Sequence, residues 1–341
     1  MNQTLTKHPN KLVDQFGRHI NYVRLSVTDR CDFRCVYCMA EEMTFLPRKE
    51  ILSLEEIEII GRAFTELGVS KIRLTGGEPL IRKDVLGLTQ KLGALTGLDE
   101  LTITTNGSQL THMAADLKKA GIRRINISLD TLKADRFKSL TRTGNLHQVL
   151  KGIDAALAAG FERIKINAVL LKGRNEDEAV DLVNFCREHG LDISFIEEMP
   201  LGVIDEHNRA VSYLSSDELK HTIEQVHPLI ASDDKTGGPS KYYRMSDSDS
   251  KVGFISPHSH NFCGDCNRVR VTVEGKLLLC LGNEHSVDLR AILRQQPSDT
   301  DSKLDAIKDA IVSSMAIKPE RHHFDLDNEP QIVRFMNATG G

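Results

Sequence analysis

Between residues 20 and 200, short apolar segments alternate with amphipathic stretches. Six of these segments have the length and composition of β-strands, and they lie at residues 22–27, 71–75, 101–105, 124–129, 163–169 and 193–197. Helices are predicted between them, for instance at residues 53–68, 112–121, 146–160 and 176–190. Each of these stretches ends in glycine, as helix C termini often do. Six successive strand–helix units predict a parallel sheet with helical crossovers.

The first five strands are apolar on one face only. Their other face is polar or charged and carries Arg24, Ser26, Thr28, Lys71, Arg73, Thr75, Thr102, Thr104, Asn126, Ser128, Lys165 and Asn167. Parallel strands are normally apolar on both faces, because helices cover both. A polar, cationic inner face is expected of a barrel that holds a charged ligand. We therefore predict an α/β fold, an incomplete parallel (βα)6 TIM-type barrel. The alternative is an open sheet with one hydrated face.

Polar motifs follow five of the strands directly. They are SVTDRC, TGGEP, TTNG, SLD and EEMP. Because the carboxyl ends of parallel strands meet at one edge, these motifs predict a functional site there. The sixth strand is irregular, since Glu197 and Met199 have the parity of the apolar Ile193 and Phe195. A β-bulge would account for this irregularity.

The strand–helix pattern ends near residue 230. Residues 232–250 are rich in Gly, Ser, Asp and Pro and are predicted to form a loop. The remainder contains a hairpin-like segment at 268–280 and further helix. We expect an N-terminal segment at 1–20, the partial barrel at 21–230 and a C-terminal region at 231–341 that closes its open side.

Composition and charge exclude some classes of protein. The 341 residues carry a net charge of −4, with no tryptophan and five tyrosines, which argues against a nucleic-acid binder. The chain has no run of about 18 apolar residues, so we expect no membrane span. The first residues lack the apolar core of a signal peptide, and we expect a cytoplasmic protein.

Six of the seven cysteines fall into two groups of three. Cys31, Cys35 and Cys38 have the spacing C-x3-C-x2-C; Cys263, Cys266 and Cys280 have the spacing C-x2-C-x13-C. Disulfides are rare in a reducing compartment, and three thiolates leave one position open on a metal or cluster. Structural zinc, with a fourth ligand such as His19, and incidental thiols are the alternatives. Cys186, in a predicted helix, is interpreted as a buried structural thiol.

Both groups resemble known iron–sulfur motifs. C-x3-C-x2-C, with Tyr37 before its last cysteine, and TGGEP at 75–79 resemble the cluster motif and glycine-rich stretch of the radical S-adenosylmethionine (SAM) superfamily. FCGDCNRVRVTVEGKLLLC, RLSVTDRCDFRCVYCM, IRLTGGEPLIR and the terminal Gly-Gly resemble its GTP 3′,8-cyclase family over nearly the whole chain. The resemblance implies two [4Fe-4S] clusters, SAM as cofactor and GTP as substrate.

The resemblance also implies a role for individual residues. It assigns Cys31, Cys35 and Cys38 to the SAM-binding cluster, and Cys263, Cys266 and Cys280 to a second cluster whose open iron binds the guanine of GTP. It places SAM against Tyr37, Gly77, Ser128 and Met199. It places GTP against Arg24, Arg73, Thr104, Lys165, Arg268 and Arg270. The tail glycines Gly340 and Gly341 would help to position the substrate.

The implied reaction is the first step of molybdenum cofactor biosynthesis, catalysed by a lyase. A 5′-deoxyadenosyl radical takes hydrogen from C3′ of GTP, and the product is (8S)-3′,8-cyclo-7,8-dihydroguanosine 5′-triphosphate. No side chain is assigned as a catalytic acid or base. The implied partners are a reducing electron donor such as flavodoxin or ferredoxin and a downstream cyclic pyranopterin monophosphate synthase. The chain would be a monomer or homodimer.

Two rival functions and two departures from the family accompany this interpretation. The rivals are a radical peptide maturase with an auxiliary cluster and a zinc-stabilised binding protein without catalysis.

The sequence reads NATGG where the family more often has isoleucine before the glycines, and CMAEE where CMP is commoner. Neither departure touches a predicted ligand. For the tail itself, a frayed end or a conjugation tag are the alternatives.

Overall fold

The alternating segments form the centre of a mixed sheet of twelve strands, and a separate two-stranded ribbon lies near the N terminus. The computed structural model describes residues 8, 10–202, 204, 207–297, 299–322, 324 and 332–340. The strands are β1 (Leu12–Val13), β2 (His19–Ile20), β3 (Tyr22–Ser26), β4 (Lys71–Thr75), β5 (Glu100–Thr105), β6 (Ile122–Ser128), β7 (Arg163–Ala168), β8 (Asp192–Ile196), β9 (Ile230–Ala231), β10 (Lys241–Met245), β11 (Ser248–Ile255), β12 (Arg268–Val271), β13 (Lys276–Leu278) and β14 (Ser286–Asp288).

Helices connect the parallel strands and follow the C-terminal ones. They are α1 (Leu54–Glu66), α2 (Val85–Gly93), α3 (Leu110–Lys119), α4 (Ala134–Thr141), α5 (Leu146–Ala158), α6 (Ala179–Glu188), α7 (Arg209–Ser212), α8 (Ser216–Glu224), α9 (Leu289–Gln295), α10 (Thr300–Ser314) and α11 (Met336–Thr339). The helix α1 begins at a capping box, in which Ser53 accepts from the Glu56 amide and Glu56 accepts from the Ser53 amide. This exchange satisfies two amides that the first turn leaves without partners. No helix in the described part of the chain is long and apolar enough to cross a membrane.

The six predicted strands, β3 to β8, pair side by side and parallel in chain order. Two strands from the C-terminal region extend this parallel run, since β12 pairs with β3 and β11 pairs with β8. Antiparallel strands then continue both ends, with β13 and β14 beyond β12, and β10 and β9 beyond β11. The predicted hairpin at 268–280 is therefore confirmed as the pair β12–β13.

The sheet curves but does not close. The ladders recorded for the described residues include none between the terminal strands β9 and β14, yet residues from β3, β7, β11 and β12 line one common cavity. The connection between β11 and β12 runs from one end of the parallel run to the other, and it carries Cys263 and Cys266. The predicted incomplete barrel is confirmed. The proposed domain boundary near residue 230 stays a prediction.

One local prediction was wrong. Residues 232–250 are not all loop, because β10 and the start of β11 form an antiparallel hairpin there. Tyr242 and Met245 of β10 are buried, on either side of a register shift between Arg244 and Met245, and the turn formers occupy only the ends of the strand. The sixth strand has no bulge against either neighbour. It ends at Ile196, so Glu197 and Met199 lie beyond it and need not follow its alternation.

The apolar core lies between the outer face of the sheet and the helices. Val23, Ile72 and Ile103 on the strands are fully buried together with Ile60 and Phe64 of α1. Burial of apolar side chains contributes about 25 cal/mol per Å², and the inner face contributes little of it because its side chains are polar. Helix packing on the outer face therefore leaves the inner face available for a ligand. The interpretation of Cys186 as a buried structural thiol is confirmed, since this residue is 1% exposed in α6.

Arg18 joins the N-terminal ribbon to the C-terminal region. Its Nε donates to Asp14 Oδ2 at 2.6 Å, in an ion pair whose carboxylate is fully buried. Its guanidinium also donates to the carbonyls of Cys263 at 2.8 Å, Pro319 at 2.7 Å and Glu320 at 2.6 Å. One side chain thus fixes both the second cysteine group and the segment after α10.

Replacing this side chain is expected to destabilise the fold. Arg18→Met leaves the buried Asp14 carboxylate unpaired, which costs about 3 kcal/mol. The matched control is Arg62→Met, since Arg62 pairs with Glu66 on the surface and its loss costs less than about 1 kcal/mol. The measurement is urea unfolding of the metal-free protein, followed by circular dichroism. Equal free energies of unfolding for the two variants would contradict this reading of Arg18.

Candidate active site

Two adjoining cavities lie inside the partial barrel, and each contains one group of three cysteines. The Cys31 cavity has an empty volume of about 1160 Å³ and the Cys263 cavity one of about 1090 Å³, open solvent included. Thr104, Asn167, Ile196 and Met199 line both cavities. Ligands bound in the two cavities would therefore meet across these four side chains.

The first cysteine group occupies the loop after β3. The amides of Cys38 and Met39 donate to the Cys35 carbonyl, which folds the loop into a turn. Burial, with the nearby charge of Asp130, raises the pKa of the Cys38 thiol to about 12. Burial likewise raises the pKa values of Cys31 and Cys35. Iron would displace these thiol protons on binding, so three converging thiols in a buried loop fit a cluster.

The glycine-rich motif TGGEP packs tightly against the chain that leads into this loop. A Cβ on Gly77 would lie 2.3 Å from the Arg30 carbonyl oxygen, and one on Gly76 would lie 2.5 Å from the Thr28 carbonyl oxygen. The Gly77 amide donates to Thr28 O at 2.8 Å. Both positions require glycine for this close approach.

Two buried carboxyl groups hold the walls of the Cys31 cavity. Glu78 accepts from the amides of Leu80 and Asn106 and from the Thr105 hydroxyl, and burial raises its pKa to about 7. Asp130 accepts from the Tyr37 hydroxyl at 2.7 Å, and burial raises its pKa to about 6. Sequence analysis did not single out either residue. Glu78 lies in TGGEP and Asp130 in SLD, and the place of these motifs at the ends of strands could have indicated both residues.

All four residues predicted to contact SAM, Tyr37, Gly77, Ser128 and Met199, line the Cys31 cavity.

The second cysteine group lines the other cavity with a buried lysine beside it. Lys318 is 1% exposed, and its Nζ donates to the Leu279 carbonyl at 2.6 Å and lies 3.6 Å from Cys266 Sγ. Burial acts to raise the pKa of Cys266, but the charges of Lys318 and Arg268 outweigh it and lower that pKa. Cys266 therefore favours the thiolate, the form that binds iron, whereas burial raises the pKa of Cys280 in the same group.

Three arginines form a row across neighbouring strands of the Cys263 cavity. Arg24 of β3 is in register with Arg73 of β4 and with Arg270 of β12, so all three lie on one face. Burial, then repulsion from Arg24 and Arg268, lowers the pKa of Arg270. Arg24 Nε and Nη2 are buried, and among the described residues they have no hydrogen-bond partner. Buried cations without partners are costly, and a polyanion would supply the missing acceptors.

All six residues predicted to contact GTP line this cavity: Arg24, Arg73, Thr104, Lys165, Arg268 and Arg270. Tyr22 and Lys71 line it too and were not assigned to the site. Lys71 lies two residues before Arg73 and therefore on the same face of β4, so the alternation in the sequence could have assigned it to the site.

The chain terminus reaches the edge of both cavities. Arg270 Nη1 donates to the Gly340 carbonyl at 2.6 Å, and Asn337 Nδ2 donates to the Asp29 carbonyl at 2.8 Å. Gly340 has a positive φ of 73°, and a Cβ there would lie 1.9 Å from Thr75 Oγ1. Gly340 therefore meets the arginine row, whereas Gly341 lies outside the described residues.

Neither cysteine group forms a compact single-ion site. In the described ranges, no group of three or more His, Cys, Asp or Glu side chains could hold one metal ion.

Comparison with known proteins identifies the family of this chain. Residues 25–186 match the Radical SAM superfamily and residues 191–324 match Molybdenum Cofactor Synthesis C. The GTP 3′,8-cyclase of Saccharophagus degradans is 62% identical over 97% of this chain and 98% of the relative. That of Marinobacter nauticus is 61% identical over 97% of this chain and 99% of the relative. The chain belongs to the GTP 3′,8-cyclase family. The resemblance inferred from its motifs is confirmed, and family membership decides against the two rival functions.

Solved structures confirm the fold of this family member. SuiB of Streptococcus suis superimposes with a TM-score of 0.62 at 17% identity, over 88% of this chain and 69% of SuiB. Its S-adenosylmethionine-bound form superimposes with a TM-score of 0.59 at 15% identity, over 95% of this chain and 79% of that chain. At these identities the likeness concerns the fold alone.

The arginine row predicts an unusual tyrosine titration. Burial acts to raise the pKa of Tyr22, but the charges of Arg73, Arg24 and Lys71 outweigh it and lower that pKa to about 7. The ultraviolet absorbance of the metal-free protein should therefore show a tyrosinate forming near neutral pH. Inorganic triphosphate should raise this pKa, because it neutralises the cations that stabilise the phenolate.

Tyr22→Phe should abolish the neutral titration, and Tyr213→Phe should leave it intact, since the pKa of Tyr213 is raised by burial and by Glu197. A neutral titration that persists in Tyr22→Phe would contradict the assignment.

Proposed function

We propose that this chain converts GTP to (8S)-3′,8-cyclo-7,8-dihydroguanosine 5′-triphosphate, the reaction of its family, in the two cavities described above. The observation that carries the proposal is the arginine row in the cavity of the second cysteine group, where Arg24 Nε and Nη2 have no acceptor among the described residues. A triphosphate has the charge and the oxygen atoms that these guanidinium groups lack. The protein is a lyase of molybdenum cofactor biosynthesis and uses SAM and two [4Fe-4S] clusters.

In the Cys31 cavity, Cys31, Cys35 and Cys38 would hold the SAM-binding cluster. Three partly buried thiols and the close-packed glycine backbone fit this group. When bound, the reduced cluster and SAM supply the 5′-deoxyadenosyl radical.

The protein's own part is to hold SAM still and to keep water away. Tyr37 and Ser128 would contact SAM from the loop and from β6, with Gly77 and Met199 beside them. Asp130 fixes the Tyr37 hydroxyl. Glu78 ties the glycine-rich turn to β5 through Thr105 and Asn106.

In the Cys263 cavity, Cys263, Cys266 and Cys280 would hold the second cluster, which leaves one iron for the guanine. Arg24, Arg73, Lys165, Arg268 and Arg270 would bind the phosphates. Thr104 accepts from Arg73 at 3.2 Å and lines both cavities. The ribose of GTP would then lie beside the four shared side chains, where the hydrogen of C3′ faces the Cys31 cavity.

The tail would complete the substrate site. Gly340 already meets Arg270 through its carbonyl oxygen, and Gly341, which lies outside the described residues, is the second tail glycine proposed to position the substrate. Gly-Gly suits this place because a side chain at Gly340 would collide with Thr75.

The partners proposed for the reaction follow from its chemistry. Reduction of the first cluster needs a low-potential donor such as flavodoxin or ferredoxin. The cyclic product needs a further enzyme, cyclic pyranopterin monophosphate synthase, to consume it. We place the chain in the cytoplasm as a monomer or homodimer, with the barrel at 21–230 and the C-terminal region at 231–341 as its two parts.

The decisive experiment is an anaerobic turnover with reconstituted protein, SAM and a strong reductant, with and without GTP. Mass spectrometry should find 5′-deoxyadenosine together with an isomer of GTP that has the same mass. The isomer forms because C3′ loses one hydrogen atom and the cyclised product regains an electron and a proton. Deoxyadenosine without any change in GTP would overturn the substrate assignment.

A matched pair of cysteine variants tests the two cavities separately. Cys280→Ala should retain the first cluster and cleave SAM but form no cyclic product. Cys186→Ala removes a buried thiol far from either group in sequence and should retain product formation. Normal product formation by Cys280→Ala would contradict the role of the second group.

The tail role is tested by Gly340→Ala. Its positive φ and the contact with Thr75 make the native tail conformation unfavourable by about 1–3 kcal/mol or more. We expect product formation to fall by roughly tenfold or more. Gly87→Ala is the control, because a Cβ there meets nothing within 4 Å, and it should change the rate by less than about twofold. Equal rates for both variants would exclude a role for the tail.

A further inference from the structure

A buried lysine side chain lies beside the second cysteine group. Lys318 is 1% exposed, and its Nζ reaches three acceptors: the carbonyl oxygens of Leu279 at 2.6 Å and Arg268 at 3.4 Å, and Cys266 Sγ at 3.6 Å. Three acceptors match the three hydrogens of an ammonium group. The geometry therefore places a positive charge next to a cysteine sulfur.

The backbone of this lysine is fixed from two directions. Its amide donates to the Met315 carbonyl at 3.4 Å, and its own carbonyl accepts from Gln15 Nε2 at 3.1 Å. Arg18 holds the two carbonyls that follow in the chain. The ammonium group is thus kept at one place beside Cys266 by contacts that do not involve the cavity.

The charge of Lys318 lacks an anionic partner in the metal-free protein. None of the contacts of its Nζ in the described part of the chain is to a carboxylate. A buried ammonium with neutral acceptors is unfavourable, because carbonyl oxygens replace its hydration only in part. Once Cys266 gives up its proton to hold iron, the thiolate supplies the missing negative charge. The lysine and a cluster at this site therefore stabilise each other.

The first cysteine group has neutral donors instead. The Phe33 amide donates to Cys31 Sγ at 3.3 Å, and the side-chain amide of Asn106 lies 3.7 Å from the same sulfur. Asp32 accepts from Asn106 beside this sulfur, and Asp130 lines the same cavity. Among the hydrogen bonds of the described residues, no lysine or arginine donates to a sulfur of this group. The two groups thus differ in the sign of the charge next to their sulfurs.

We propose that Lys318 is a positioning residue that raises the reduction potential of the second cluster above that of the first. This inference rests on the proposed assignment of the two cysteine groups to [4Fe-4S] clusters. Reduction adds one electron, and hence one negative charge, to a cluster. A cation that donates to a ligand sulfur stabilises the reduced form, whereas nearby carboxylates destabilise it. An electron that enters the protein therefore resides mainly on the second cluster.

Potentiometric titration followed by electron paramagnetic resonance tests the proposal. Protein carrying Cys35→Ala, anaerobically reconstituted without SAM or GTP, holds only the second cluster, so its potential is measured alone. Adding Lys318→Met removes the charge from a side chain of similar length. The equilibrium constant for reduction should then fall about tenfold or more, which for a one-electron couple is about 59 mV. Lys318→Arg keeps the charge and should retain most of the potential.

The matched control is Lys276→Met. Lys276 lies in β13, ahead of Cys280, and its side chain is 44% exposed. Water and salt screen a charge at such a position, so its loss should leave the potential of the second cluster unchanged.

A second comparison leaves Lys318 in place, and it decides the matter if Lys318→Met does not assemble a cluster. Protein carrying Cys280→Ala holds only the first cluster, and protein carrying Cys35→Ala holds only the second. The potential measured for the Cys35→Ala protein should be the higher of the two.

Four outcomes would overturn the proposal, and they are distinguishable. Equal potentials with and without Lys318→Met show that the lysine charge does not act on the cluster. A fall in Lys318→Arg as large as that in Lys318→Met shows an effect of packing instead of charge. A second cluster with a potential at or below that of the first shows that the lysine does not set their order. Protein with no cluster in the Cys35→Ala background, where Lys318 is intact, shows that the assignment of the second cysteine group is itself wrong.

Discussion

A row of buried arginines, in which Arg24 Nε and Nη2 have no hydrogen-bond partner among the described residues, is the constraint on which this structure depends. Arg24, Arg73 and Arg270 are in register on three neighbouring parallel strands, which lie roughly 4.8 Å apart. Burial and mutual repulsion lower the pKa values of Arg24 and Arg270. Tyr22 compensates in part, because its hydroxyl accepts from Arg73. The row is therefore unfavourable when empty, and an anion that binds it stabilises the fold as well as the complex.

Packing elsewhere in the fold offsets the free-energy cost of this arginine row. Apolar side chains on the outer face of the same strands pack against the helices, and this burial offsets the cost of the inner face. The C-terminal strands extend both ends of the parallel run. At one end β12 pairs with β3 and supplies Arg270, and at the other end β11 pairs with β8. Arg18 then fixes the C-terminal segment against the second cysteine group. The cluster site is thus built from three distant parts of the chain.

Sequence reasoning succeeded where local periodicity decides the structure. A period of two identified the six strands and placed Arg24, Arg73 and Lys165 on the inner face, and the structure has them there. It failed where the partner is remote. Lys318 lies beside Cys266 and His322 beside Cys263, more than fifty residues away along the chain, and no local pattern signals such pairs. The strands β10 and β11 were missed because turn formers flank them and because β11 joins the sheet through β8, which is distant in sequence.

The two cavities share side chains, so a ligand in one cavity can affect the walls of the other. Arg73 donates to Thr104, which lines both cavities, and Arg270 donates to the carbonyl of Gly340. A neutral carbonyl satisfies a buried guanidinium less well than a phosphate oxygen does. Phosphates that enter the row must therefore compete with the tail for Arg270 and with Thr104 for Arg73. Substrate phosphates bound as proposed would then act on Thr104 in the wall of the Cys31 cavity and, through Arg270, on Gly340, so that one set of cations would couple the substrate to both.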